Sequence, residues 1–193
     1  AREGRGLGVS APVVTVPGVL VEVLGEGVLL TGASGVGKSE LALELVSRGA
    51  RLVVDDAPEF RRLEDSTLEG SCPEEGLGGF LAHRELGILN VRELLGPGAV
   101  HSRGRLELIV ELRRPSASGA VDEGPCLGLC YETREVLGVP VPAVRLWSRA
   151  GRNLAVLVEM LVRNHRLRRA GYDAYADFTR RQEALMARRG GEG

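Results

Sequence analysis

Residues 32–39 read Gly-Ala-Ser-Gly-Val-Gly-Lys-Ser and satisfy the pattern G-x-x-x-x-G-K-[ST] at every fixed position. Each residue type has a task in that spacing. Gly32, Gly35 and Gly37 allow backbone N–H groups to converge on an anion, and the start of a following helix adds partial positive charge. Lys38 would set an ammonium between the outer phosphates of a nucleoside triphosphate, and the Ser39 hydroxyl would ligate the accompanying Mg²⁺. The expected cofactor-binding stretch is Gly32, Ala33, Ser34, Gly35, Val36, Gly37, Lys38, Ser39 and Glu40. Of the 25 basic residues, Lys38 alone is a lysine. That favours ATP over GTP, because the guanine-reading Asn-Lys-x-Asp motif needs a second lysine.

Asp55 and Asp56 form the second constellation. They end the apolar run Leu52-Val-Val54, where a carboxylate can hold a magnesium-bound water or take a proton from an acceptor hydroxyl. Elsewhere such a pair would be read as a turn or a helix cap. Beside the loop it is expected to be catalytic, with Ser39 and Asp55 as the metal ligands. His83 is a candidate to face the phosphates, although a structural role is favoured. His101 is expected in a loop and His165 on a packed helix face.

These groups need elements to position them. The alternation from Val13 to Val23 sets Val19, Val21 and Val23 on one side, and Gly27–Thr31 reads as a buried strand entering the loop. Ser39–Arg48 reads as a helix with Leu41, Leu45 and Val46 inward, stopped by Gly49. Strand, loop, helix and strand make a βαβ-like unit, so the fold class is α/β, a phosphate-loop nucleotide-binding domain. Residues 64–79 read as a loop, Leu86–Val91 and Leu106–Leu112 as strands, and Pro115–Pro125 as a mobile loop. Leu154, Leu157, Val158, Leu161, Val162 and His165 form one helical stripe behind an Asn153 cap. A last helix follows Gly171, with Tyr175, Phe178, Gln182 and Leu185 inward and Arg180, Arg181, Arg188 and Arg189 outside. The organisation expected is a catalytic domain over residues 1–152 and C-terminal helices over 153–193, packing on the domain or on a neighbouring subunit.

The bulk numbers restrict the function classes. A length of 193 residues, 44 % of them hydrophobic, suits one domain with an appendage. A net charge of −1 provides no field for nucleic acid or an anionic membrane. No apolar run approaches the ~20 residues that cross a bilayer, so a cytoplasmic protein is expected. Three cysteines, Cys72, Cys126 and Cys130, argue against a disulfide framework, and Cys126-x-x-x-Cys130 without a second pair argues against zinc. The arginines 163, 166, 168 and 169 suit a solvated helix face or a subunit contact.

The segment Gly27–Asp56, GVLLTGASGVGKSELALELVSRGARLVVDD, resembles the core of the HPr kinase/phosphorylase family. Arg84–Val91 resembles its Glu-x-Arg-Gly-x-Gly-Ile-x-Asn signature, and Gly151–Ala174 its C-terminal Gly-Arg-Asn helix. The resemblance covers roughly residues 16–180. It implies a core akin to the nucleotide domain of phosphoenolpyruvate carboxykinase, hexameric assembly through C-terminal helices, and Mg-ATP-dependent phosphorylation of a serine of HPr, reversible with inorganic phosphate. Carried over, Lys38 and Ser39 hold phosphates and Mg²⁺, Asp55 and Asp56 act on the acceptor, and Arg152 lies near the site. A typical member also has a separate N-terminal domain. Because the sequence starts at Ala1 rather than a methionine, a trimmed form is expected.

The chain departs from the family pattern at four places. The signature glutamate, a magnesium ligand, falls on Ala82. The aspartate after the loop's first glycine falls on Ala33, the histidine before the first strand on Pro17, and a flexible-loop arginine on Cys126. An alanine cannot coordinate a metal, which leaves Ser39 and Asp55 for Mg²⁺. Three functions stay open: a serine kinase, a diverged paralogue that hydrolyses ATP or uses another hydroxyl, and a nucleotide-binding regulatory module.

Overall fold

The structure, a computed structural model, describes residues 12–74, 76–115 and 130–190. In chain order these form β1 (Val13–Thr15), β2 (Val19–Val23), β3 (Glu26–Gly32), α1 (Lys38–Ser47), β4 (Arg51–Val54), β5 (Glu59–Arg62), β6 (Leu68–Ser71), β7 (Phe80–His83), β8 (Gly87–Asn90), α2 (Val91–Leu95), β9 (Arg103–Arg105), β10 (Leu108–Arg113), β11 (Glu132–Val136), β12 (Val139–Trp147), α3 (Leu154–Arg169) and α4 (Ala174–Gly190). A short 3₁₀ turn, Pro97–Ala99, joins α2 to the strand side.

A six-stranded sheet in the order β11-β12-β10-β3-β2-β4 lies at the centre. Strands β2, β3, β4 and β10 are apolar on both faces, which is what a sheet covered on both sides requires, whereas the edge strand β11 is polar and largely exposed. One face, with Val19, Val21, Val28, Leu30, Leu52, Leu108, Val110 and Leu112, packs with Leu41, Leu45 and Val46 of α1 and Val158 and Val162 of α3. The other, with Leu20, Leu29, Val53, Ile109 and Ala143, shares a core with Phe60 and Leu68 of an antiparallel sheet, β1-β5-β6-β9. The α/β class expected from the pattern is what the chain adopts, in three layers.

β3, β10 and β12 run parallel, whereas β2 is antiparallel to both β3 and β4. The β3-α1-β4 unit therefore has β2 inserted between its strands. The insertion keeps β4 parallel in direction to β3, so β3, β4, β10 and β12 all finish at one end of the sheet. In open α/β sheets ligands bind at that end, outside the carboxyl ends of the strands.

Three sequence expectations need correction. The alternating run from Val13 is two strands in different sheets, broken at Pro17-Gly18. Residues 64–79 contain β6, hidden from pattern reading because one of its inward positions is Gly70. An added Cβ there would meet Leu20 Cδ2 at 2.5 Å and Phe60 Cε1 at 2.6 Å, so the close sheet approach requires glycine. The tail helix α4 forms, but on this chain Tyr175, Phe178 and Leu185 are 48 %, 59 % and 57 % exposed, so that face does not pack on the domain.

Helix α3 behaves as its stripe foretells. The Asn153 side chain accepts from Val156 N–H at 3.0 Å, and Ala155, Val158, Leu161, Val162 and His165 are buried. Arg166 and Arg169 are exposed yet engage their own chain, pairing with Glu26, and Arg169 also with Glu107. Cys72 is free and Cys130 is disulfide-bonded. The segment 116–129, with Cys126, lies outside the described residues, as does the bulk of the expected loop Pro115–Pro125. No helix among the described residues is long and apolar enough to cross a membrane.

Candidate functional site

The glycine-rich loop leaves the sheet at the end of β3. Gly32 has φ 133°, and a Cβ on it would come within 2.3 Å of Leu112 O on the adjacent strand β10. Only glycine fits that exit. Val36 is the loop's anchor, buried in the helix-side core, while its N–H closes on Ala33 O at 3.2 Å. Ala33, Ser34 and Gly35 are exposed on the rim. Gly37, at φ 105°, starts α1 with no side-chain cap. The first amides of the ten-residue helix thus face the cleft without an intrahelical partner, which is an anion-binding arrangement. Lys38 Nζ donates to Gly32 O at 3.0 Å and Ala33 O at 3.1 Å, so the ammonium lies along the loop it serves.

Across from the loop stands the β7–β8 hairpin. The cleft between them measures about 310 Å³ and is lined by Gly35, Gly37, Lys38, Ser39 and Glu40 on one side and Ala82, His83 and Arg84 on the other. Asp55 links the two walls through Ser39 and Ala82. Its Oδ1 accepts from Ser39 Oγ–H at 3.3 Å and its Oδ2 from Ala82 N–H at 2.6 Å. Burial holds this carboxyl above the ordinary aspartate value. The bonds from Ala82 and Ser39, which favour the charged form, only partly offset it, and the charge of Asp56 adds to the upward push.

The aspartate pair is split by its backbone. Asp56 and Ala57 hold φ of 60° and 53°, a left-handed conformation disfavoured for non-glycine residues and common where function constrains a turn. The turn leaves Asp55 half-buried against Ser39 and Asp56 exposed. Arg152 is likewise exposed, in the turn between β12 and α3, and its side chain makes no hydrogen bond or ion pair among the described residues. The structure therefore gathers Lys38, Ser39 and Asp55 and leaves Asp56 and Arg152 at the edge. Ala82, aligned by resemblance with a metal-binding glutamate, touches Asp55 through its backbone.

One neighbour escaped the sequence reading. Arg114, just past β10, donates from Nη2 to Gly35 O and braces the loop. The available signal was the parallel strand order, which brings the carboxyl end of Leu106–Leu112 beside the loop; that order is not written in the local sequence. Ser148 N–H, past the end of β12, donates to Arg113 O at 2.7 Å and extends the same rim.

Oxygen donors of Ser39 and Asp55 converging beneath a phosphate cradle suit Mg²⁺, which takes one or two protein oxygens and completes its shell with phosphate and water. Among the described residues no group of three His, Cys, Asp or Glu side chains forms an all-protein metal cage. Fold and loop together define a phosphate-loop α/β domain built on a mixed central sheet.

The chain matches the family model of the HPr serine kinase C-terminal domain over residues 9–182 and belongs to that family. It is 49 % identical over 172 residues to the HPr kinase/phosphorylase of Bordetella avium (strain 197N), covering 89 % of this chain and 54 % of that protein. The HPr kinase/phosphorylase of Nitrosomonas europaea is 48 % identical over 177 residues, 92 % of this chain and 54 % of that protein. The chain thus spans about half the length of the curated relatives it matches. The structure of the Hpr(Ser) kinase/phosphatase from Coxiella burnetii superposes with a TM-score of 0.74 at 37 % identity, covering 85 % of this chain and 97 % of that one.

Proposed function

We propose that the chain is the catalytic part of an ATP-dependent serine protein kinase of HPr kinase/phosphorylase type. It transfers the γ-phosphoryl group of Mg-ATP to a serine hydroxyl of HPr or of another protein. The observation that carries this reading is the meeting of Ser39 and Asp55, 3.3 Å apart, at the mouth of the Gly32–Ser39 loop. The loop amides and Lys38 hold the phosphates in line for transfer. Ser39 Oγ and the Asp55 carboxylate would hold Mg²⁺, which would supply charge neutralisation for the transferring group.

Burial raises the proton affinity of Asp55 above the ordinary aspartate value, the direction that suits a general base. It takes the proton of the acceptor serine as the serine oxygen bonds to the γ-phosphorus. The bond from that phosphorus to the β,γ-bridging oxygen breaks, and ADP leaves. Each carboxylate oxygen accepts one bond from the protein and keeps a second lone pair for this work. In phosphorolysis inorganic phosphate attacks the phosphorus of phosphoserine to form pyrophosphate, and the departing serine oxygen takes a proton back from Asp55. Asp56, exposed beside the base, contributes charge, and Arg152 serves from the rim. The assembly is a homo-oligomer, hexameric as the family resemblance implies, acting in the cytoplasm without nucleic acid or membrane.

Ala82 favours the alternatives. Without a carboxylate at that point, the same loop and base suit a diverged ATPase, a kinase of another hydroxyl, or a regulatory module with little turnover. Incubation with γ-labelled ATP, with and without HPr, separates these. Label on an HPr serine is the expected result; released phosphate independent of HPr, or no turnover, selects the alternatives.

A further inference from the structure

The hairpin wall of the cleft carries a side chain whose hydrogen bonding is fixed from one side. His83 closes the β7–β8 turn, and its Nδ1 accepts from Glu85 N–H at 3.2 Å and Leu86 N–H at 3.3 Å. A ring nitrogen that accepts N–H bonds presents its lone pair, so the imidazole proton lies on Nε2. The ring is half-buried and lines the cleft opposite Lys38 and Ser39. The turn occupies Nδ1, leaving Nε2–H as the donor that a ligand meets.

We propose that His83 reads the terminal phosphate of the bound nucleotide through Nε2–H, and so sets the preference for triphosphate over diphosphate. This rests on the phosphate-loop reading of the site. The loop amides and Lys38 belong to the opposite wall and approach the phosphates from there. His83 follows Ala82, whose N–H holds Asp55 at 2.6 Å, so it stands on the side of the base. A group beside the base meets the phosphoryl being transferred rather than those left behind. The donor is neutral and the phosphate charged, which makes the bond charge-assisted. The tautomer also excludes a role for His83 as a phosphoryl acceptor through Nε2, since that nitrogen has no free lone pair.

Two substitutions dissect the ring. In His83→Asn the side-chain oxygen takes the place of Nδ1 and keeps the turn, but no donor reaches the cleft. In His83→Gln the amide nitrogen reaches the place of Nε2 and keeps the donor. Calorimetric titration with Mg-ADP and with the magnesium complex of the non-hydrolysable analogue AMPPNP reads both nucleotides. The expected result is AMPPNP bound about tenfold more weakly by His83→Asn, with ADP within about twofold of the parent and His83→Gln within about threefold for both. Unchanged AMPPNP affinity in His83→Asn overturns the proposal, as does equal weakening of ADP and AMPPNP in either variant, or a phosphohistidine formed with ATP. Failure of the underlying reading looks different: neither nucleotide binds the parent, or Lys38→Ala binds both as well as the parent does.

Discussion

The two walls of the cleft are built in opposite ways. The loop wall is one continuous stretch, Gly32–Ser39, shaped by its own glycines, anchored by Val36 and carrying its own cation. The facing wall is assembled from the ends of β4 and β7, where Asp55 and Ala82, residues 27 apart in sequence, meet as Asp55 accepts from Ala82 N–H. Phosphate binding needs only a local arrangement of backbone donors and one ammonium. Proton transfer needs a carboxylate whose proton affinity is raised by burial, and burial is a property of the assembled fold. The binding half of the site should therefore survive changes that abolish its chemical half.

The largest expected effect tests that separation. A base acts only in the transferring state, so Asp55→Asn should lower turnover by roughly 10²–10⁴-fold while Mg-ATP affinity, which loses one charged Mg²⁺ ligand but keeps the loop and Lys38, falls far less. Asp56→Asn, on an exposed side chain, should lower turnover by less than about tenfold. Steady-state kinetics with matched titrations check both. Because the carboxyl of Asp55 is raised and must be ionised to accept a proton, parental turnover should decline as pH falls through that raised value, above the ordinary aspartate range. Equal losses in the two variants would merge the roles of the pair.

An intermediate effect concerns the metal. Ala82→Glu adds a carboxylate next to Asp55, and two adjacent carboxylates favour a hard divalent cation. The Mg²⁺ concentration for half-maximal activity should drop by about tenfold, read from a magnesium titration at saturating ATP. An unchanged midpoint would show that this wall does not face the metal.

The smallest effect is on stability. A raised carboxyl pKa means that the folded state keeps the proton to higher pH than the unfolded chain. Its contribution to stability is present below the ordinary aspartate value and is lost as pH rises through the raised one. At pH 7 the buried charge is a net cost, so Asp55→Asn should melt about 2 °C higher than the parent, an advantage that fades on acidification. Calorimetric melts at pH 7 and pH 4 read the sign.

The sequence disclosed what is local. The loop pattern, the αβ alternation and the Asn153-capped stripe of α3 were all legible because spacing alone determines them. The aspartate pair at the end of the next strand was legible beside the loop, and family resemblance supplied the alignment of Ala82 with a carboxylate. Neither route revealed Arg114 against Gly35, or β2 inserted between β3 and β4, because both depend on strand order. The four-stranded sheet was mostly missed, since β6 hides a required glycine inside a stretch that reads as a turn. The stripe of α4 was read as a packed face by the same rule that held for α3. Period marks an apolar face, but it does not supply the surface that covers it.

The central claim is that the Gly32–Ser39 loop holds the phosphates of Mg-ATP with Lys38 as its one ammonium. Isothermal titration of the parent and of Lys38→Ala with Mg-ATP tests it most directly. Loss of an ammonium paired with phosphate should weaken binding roughly 100-fold, since no other lysine exists to replace it. Equal affinity in the two proteins would contradict the account at its base.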